Sequence, residues 1–434
     1  MDIKNNNFFK SILYLNKGKI FSDFFFNYLS LIFLGLTGLI LNLIIAKFYD
    51  PSTLGIFNLS ITFYFLISMI GSGGINYSVL KCLSKSNINT QEIKSIISGA
   101  CIPVFFSSII TSLLFLRTID LISNLFNSDD LYKGLISIVP AIFFGSLNKV
   151  FLYGIYNGLR KMKEFAFLQS LRYILILLNL LLFINFHLEG PFISSILSVT
   201  EFILFLLMIV RINKIIPFVY SKKWNEWSLR HLNFGIKAVF SGLINESNTK
   251  VDIVMIGFLL NDNDVGIYSF AALFIEGYII LIKVFRDIYN PIFSEKMNIV
   301  DNINFSKIAN KIKYKTYLVS AIIAILLLVV YSIFNNLILN HQNYNQSFLP
   351  FIILLIGIFV SSGYIPFQEL FTMANRPLLN TFYMIGFISF NITFNLFLIP
   401  IFGINGAALS TSLAYLFATI LISFMAKRYL KINI

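Results

Sequence analysis

The sequence predicts an all-α integral membrane protein of about twelve transmembrane helices, and three observations carry that prediction. Of its 434 residues 57% are hydrophobic and only 12% charged, about half the charged share of a soluble domain. Forty-eight Phe and 21 Tyr add more apolar surface than a water-soluble fold of this size can hide. The Lys and Arg residues sit in short segments between long apolar runs. The net charge of +13 therefore reads as a loop bias rather than a nucleic-acid footprint, and no nucleic-acid partner is expected.

A spanning helix needs about 20 mostly apolar residues. Ahead of the first such run, the polar N-terminal stretch carries Lys4, Lys10, Lys17 and Lys19. No small-residue cleavage site follows a short apolar stretch, so no removable signal peptide is expected. Six runs qualify near 24–46, 54–80, 95–116, 134–156, 165–186 and 191–210. The second contains Gly71-Ser72-Gly73-Gly74, read as a close helix contact in preference to a bend. After the basic segment 211–231, six more follow near 232–260, 265–290, 314–338, 348–374, 378–399 and 404–426. Between the last two, Pro400 is expected to stop one helix and Gly403 to turn into the next.

Basic residues in alternate connections test this order. One set of connections holds 23 Lys and Arg, the other only Lys47, Arg117 and Lys133, and seven lie inside spans. The bias places both termini in the cytoplasm, and a multi-pass protein of the bacterial inner membrane is expected. The chain also repeats itself. Residues 179–197 match 395–413 at seven of 19 positions, and Leu54-Gly55-Ile56-Phe57 mirrors Val265-Gly266-Ile267-Tyr268. Two matches at nearly the same offset predict two parallel six-helix halves, 1–210 and 232–434, joined by a cytoplasmic linker at 211–231.

These residues resemble a known group. Ala46-(x)8-Gly55-Ile56-Phe57, Asp252-(x)4-Gly257-(x)8-Gly266-Ile267-Tyr268 and the stretch from Asn395 through Pro400, Gly403 and Gly406 to Thr411 are similar to the polysaccharide-transporter (Wzx-like) family. That family belongs to the superfamily of MATE exporters and lipid II flippases. The resemblance implies a V-shaped, alternating-access bundle. Its expected substrate is an oligosaccharide on undecaprenyl diphosphate, a precursor of O-antigen or another surface polysaccharide. Partners implied are membrane lipids, a proton or Na⁺ as coupling ion, and a polysaccharide polymerase. A cation-coupled small-molecule exporter and a lipid II flippase are the alternatives.

An ionisable side chain in mid-bilayer costs about 2.5–3.5 kcal/mol and demands a partner or a function. The run Asn245 to Asp252 in the seventh span sweeps roughly 200° of helix with polar side chains, so it must border a cavity or seam. Lys149, Arg172 and Lys250 are the candidate substrate-binding cations, since a diphosphate cannot cross hydrocarbon bare. Glu246, Asp252, Glu276 and Glu369 are the candidate ion-coupling or charge-pairing acids. Local pairing offers a plainer account. Glu246 and Lys250 stand four residues apart in the favourable order, Lys283 and Asp287 do the same, and Arg172 and Arg286 sit where they can snorkel.

Enzyme chemistry is not expected. Cys82 and Cys101 form no disulfide framework, and neither they nor His187, His231 and His341 have metal-ligand spacing. No nucleotide-binding glycine loop occurs. The longest outward connection, 117–133, offers only Asp120, Asp129 and Asp130 as acids. No cofactor is expected.

Overall fold

The computed structural model describes residues 17–84, 89–215, 223–247, 250–296, 302–338 and 343–434. Helix α1 runs Lys17–Phe48 and α2 Pro51–Gly71. Asp50 caps α2, accepting the Thr53 N–H at 2.9 Å, and Pro51 opens it, as a first turn permits. The chain then turns on Gly73 and Gly74, with φ of +58° and +64°, the left-handed region that favours glycine. It resumes as α3, Ile75–Leu83. The expected second span is thus bent, and it is also a close contact: a β-carbon on Gly74 would collide with the Gly235 carbonyl.

Next come α4 (Thr90–Leu125), capped by Asn89, and α5 (Asp129–Ser137), capped by Ser128. Helix α6 (Val139–Lys149) passes into a π-helical segment, Val150–Tyr156. The chain continues through α7 (Met162–Asn185), α8 (Ser195–Ile215), α9 (Trp224–Ser247), α10 (Val251–Leu259), α11 (Asp262–Lys296) and α12 (Asn302–Ile338). Helix α13 (Phe348–Ser361) runs into a 3₁₀ segment, Ser362–Phe367, around Pro366. The short α14 (Leu370–Met373), then α15 (Pro377–Phe402) and α16 (Ile404–Met425) complete the bundle. Pro400 lies inside α15 and does not end it. The turn rests on Gly403 at φ +58°. No strand occurs among the described residues.

Ten helical segments of the described residues are long and apolar enough to cross a membrane. The first expected span falls in α1, whose part with described side chains, Phe33–Phe48, is a shorter apolar helix. The seventh, 232–260, is described as two helices, α9 and α10, with Lys250 outside helical geometry ahead of α10. Residues 248 and 249 lie outside the described residues.

Three apolar clusters hold the bundle. The buried residues of one lie within 75–212 and those of another within 293–432, while the largest runs from Leu41 to Ala408. At its centre α2 crosses α11 through a reciprocal contact. A β-carbon on Gly55 would strike the Asp262 carbonyl and come within 3.0 Å of the Gly266 nitrogen. One on Gly266 would strike the Pro51 carbonyl and come within 3.1 Å of the Gly55 nitrogen. The two glycines are those of the repeated motif, and Pro51 and Asp262 stand at the same offset. Only at glycine can two backbones approach this closely.

Candidate functional site

The side chains expected to act fall in two groups. In the first, Glu201 on α8 is 2% exposed and collects every donor around it. Its Oε1 lies 2.9 Å from the Arg172 Nε, and Arg172 Nη2 donates to Oε2 at 3.3 Å. The Tyr64 hydroxyl donates to Oε1 at 2.9 Å, and the Asn148 amide donates to Oε2 at 2.7 Å and to the Glu201 carbonyl at 2.8 Å. A buried charge needs such a set of partners. Arg172 therefore does not reach toward the membrane surface; its guanidinium is matched by a carboxylate inside the bundle. Lys149, one residue on from Asn148, donates to the Phe65 carbonyl at 3.1 Å, with its ammonium 5.9 Å from the Phe65 ring. It ends α6 where the π-helical segment begins, an irregularity that re-aims side chains.

The second group surrounds the break between α9 and α10. Lys250 pairs with Glu276 of α11 at 2.8 Å, with the two side chains 18% and 36% exposed. The local partner expected from spacing, Glu246, has a side chain outside the described residues. Asp252, in the first turn of α10, sits where a helix dipole favours negative charge. It accepts from Tyr268 at 2.9 Å, Asn391 at 3.1 Å and Asn395 at 2.9 Å, and also from Thr411. No ion pair joins it to a basic side chain among the described residues. Asn395 Oδ1 is buried beside it without a hydrogen-bond partner there.

From Glu276 a polar row follows α11. Glu276, Lys283, Asp287 and Asn290 recur at spacings of seven, four and three, which places them on one face. Arg286 holds Asp287 at 3.1 Å and Glu369 at 3.5 Å, and Asn290 donates to Glu369 at 3.1 Å. The Lys283–Asp287 pair that spacing suggests does not form. Lys283 has no hydrogen bond or ion pair among the described residues.

The polysaccharide biosynthesis protein family matches residues 20–286, well over half the chain. The chain belongs to that family. No curated protein sequence matches it. Among solved structures it is similar to the lipid II flippase MurJ in its inward closed conformation, with a TM-score of 0.74 and 18% identity over 93% of this chain and 87% of that one. It is also similar to an inward-facing multidrug resistance MATE family transporter, with a TM-score of 0.70 and 11% identity over 91% and 94%. A third likeness is to a MOP superfamily transporter from Pyrococcus furiosus, with a TM-score of 0.53 and 12% identity over 93% of each chain. At these identities the likeness establishes the fold. This member of the polysaccharide biosynthesis protein family is a multi-pass membrane protein with the fold of flippases and transporters, not that of an enzyme.

Within this family member, five residues around the two carboxylates escaped the sequence reading as site residues. Tyr64, Asn148 and Asn391 carried no motif signal, and Tyr268 and Thr411 appeared only as motif positions. The usable sign was the i, i+4 pair Asn391 and Asn395 inside an otherwise apolar span, since buried amides demand partners.

Proposed function

We propose that the protein is a flippase that carries an isoprenyl-diphosphate-linked oligosaccharide from the inner to the outer leaflet of the bacterial cytoplasmic membrane. The observation that carries this reading is the row of charges on α11 with Lys250 against it, set inside an apolar bundle of the polysaccharide biosynthesis family. Cations lining the crossing suit an anionic headgroup, whose hydration they replace. Residues 1–210 and 232–434 act as two halves that rock about the α2–α11 crossing, with 211–231 between them on the cytoplasmic side and both termini there. The basic bias of the connections supports that orientation. Lys250 and Lys149 meet the diphosphate as the seam opens. Arg172 braces the N-terminal half through Glu201.

Coupling falls to Asp252. Of the acids considered, Glu276 and Glu369 are matched by Lys250 and Arg286, whereas Asp252 faces neutral groups. Its carboxylate is held only by neutral donors, the Tyr268 and Thr411 hydroxyls and the Asn391 and Asn395 amides, so it can take up a proton, or exchange these donors for a small cation such as Na⁺, without breaking an ion pair. Membrane potential adds about 2.3 kcal/mol per charge per 100 mV in favour of exporting an anion, so no nucleotide is needed.

The test is reconstitution into vesicles with a fluorescent disaccharide on undecaprenyl diphosphate, scored by quenching of the label in the outer leaflet. Flipping by the wild type that falls when potential and Na⁺ or proton gradients are collapsed is the expected result. Flipping of lipid II alone, or export of a cationic dye alone, would refute the cargo assignment.

A further inference from the structure

Two lysines stand on the face where α11 meets the α9–α10 break, and only one is engaged. Lys250 lies 2.8 Å from Glu276, so its charge is neutralised where it stands. Lys283, seven residues beyond Glu276 and about 10.5 Å along the helix, has no such partner among the described residues. The acids within reach are committed elsewhere. Asp287 is held by Arg286 at 3.1 Å, and Glu369 by Arg286 at 3.5 Å and Asn290 at 3.1 Å. An unmatched ammonium within a membrane span marks a place where the partner arrives from outside the protein.

We infer that Lys283 is the receiving anion site, where a diphosphate headgroup binds before the Lys250–Glu276 pair opens. This rests on the cargo reading above. The chemistry fits an isoprenyl diphosphate: an ammonium is a compact point charge with three donors, suited to phosphate oxygens in any orientation. Arg286, about one turn further, keeps its guanidinium on two carboxylates, so Lys283 supplies the available charge. To move on toward Lys250, the anion must displace the Glu276 carboxylate. Binding and movement thereby become separable steps, one on each lysine.

The experiment uses the full-length protein in detergent, titrated with farnesyl diphosphate and, separately, with inorganic pyrophosphate, alongside vesicle flipping. Lys283→Gln should weaken farnesyl diphosphate binding by at least about tenfold, and Lys283→Arg should stay within about threefold of wild type. Lys250→Gln should bind within about threefold of wild type yet fail to flip. Adding Glu276→Gln to Lys283→Gln should recover binding by unmasking Lys250, a gain that no folding defect can produce. Pyrophosphate competing as well as the lipid assigns recognition to the anion alone; lipid binding without pyrophosphate binding adds the chain to it. Either pattern supports the site provided it depends on Lys283. Wild-type binding by Lys283→Gln, or equal loss in Lys250→Gln, overturns the inference while leaving the cargo reading intact. A wild type that binds neither probe overturns both.

Discussion

Replacing Glu201 by Gln tests whether Arg172 is a brace or a substrate contact. The substitution keeps the shape and one acceptor oxygen, for either Tyr64 or Asn148, but it removes the charge that faces the Arg172 guanidinium at 2.9 Å. Arg172 is 8% exposed and Glu201 2%, so no water is at hand to replace the carboxylate. Breaking one side of a buried pair costs about 3–5 kcal/mol, a large share of the margin by which a folded protein is stable. Replacing both, as Arg172→Gln/Glu201→Gln, leaves two amides that can bond to each other and to Tyr64 and Asn148. That variant should regain all but about 1–2 kcal/mol. Equilibrium unfolding by SDS in mixed micelles gives the free energies, and vesicle flipping gives the activity. The brace reading requires the single variant to be much weaker than the double, and the double to flip its substrate. Equal stability of wild type and Glu201→Gln would refute the pairing. A stable double variant without transport would return Arg172 to the substrate path.

Three further outcomes follow from the same structure. Gly266→Ala, which drives a methyl into the Pro51 carbonyl, should cost about 1–3 kcal/mol by the same unfolding assay; Gly277→Ala, whose β-carbon would meet nothing within 4 Å, should cost nothing or gain about 0.5–1 kcal/mol from helix propensity. Asp252→Asn should abolish the dependence of flipping on a proton or Na⁺ gradient while lowering stability by only about 2 kcal/mol, since an amide oxygen still accepts from its neighbours. Lys149→Gln should retain a donor for the Phe65 carbonyl and unfold like wild type, but flip at least about tenfold more slowly if its charge meets the diphosphate; unchanged flipping removes it from the path.

The helices were legible because apolar length and basic connections are local properties of the chain. What resisted reading was helix interruption and partner choice. The polar stretch from Asn245 to Asp252 is too polar to face lipid, yet the apolar runs on either side of it predict one continuous span. Among the described residues a new helix starts at Val251, with Lys250 ahead of it at φ −124°, outside helical geometry. Pairing rules along one helix pointed Lys250 at Glu246 and Lys283 at Asp287. The structure supplies Glu276 from another helix for the first and gives Asp287 to Arg286. Spacing rules see only the i±4 neighbourhood, and in a bundle the nearest opposite charge is often across the seam. Asn395 shows the limit most clearly. It occupies the repeat position of Asn179, which bonds Thr200 at 2.9 Å, yet Asn395 itself turns to Asp252 at 2.9 Å. The acid has no counterpart in the first half, where the corresponding position is Leu41.

In the rocking motion proposed above, the mutual fit of Gly55 and Gly266 would set the fulcrum. Both contacts lie near the N-terminal ends of their helices, so any tilt that preserves them turns α11 into a long lever hinged at one end. From Gly266 to Lys296 the helix extends about 45 Å. A tilt of about 15° would sweep its far end through about 12 Å while the glycines slide by almost nothing. Lys283, about 25 Å from the hinge, would travel about 7 Å. Under that proposal, two small residues at one end would govern how wide a mouth can open at the other. Widening the hinge by a single methyl would be felt as lost gape, not merely as lost packing.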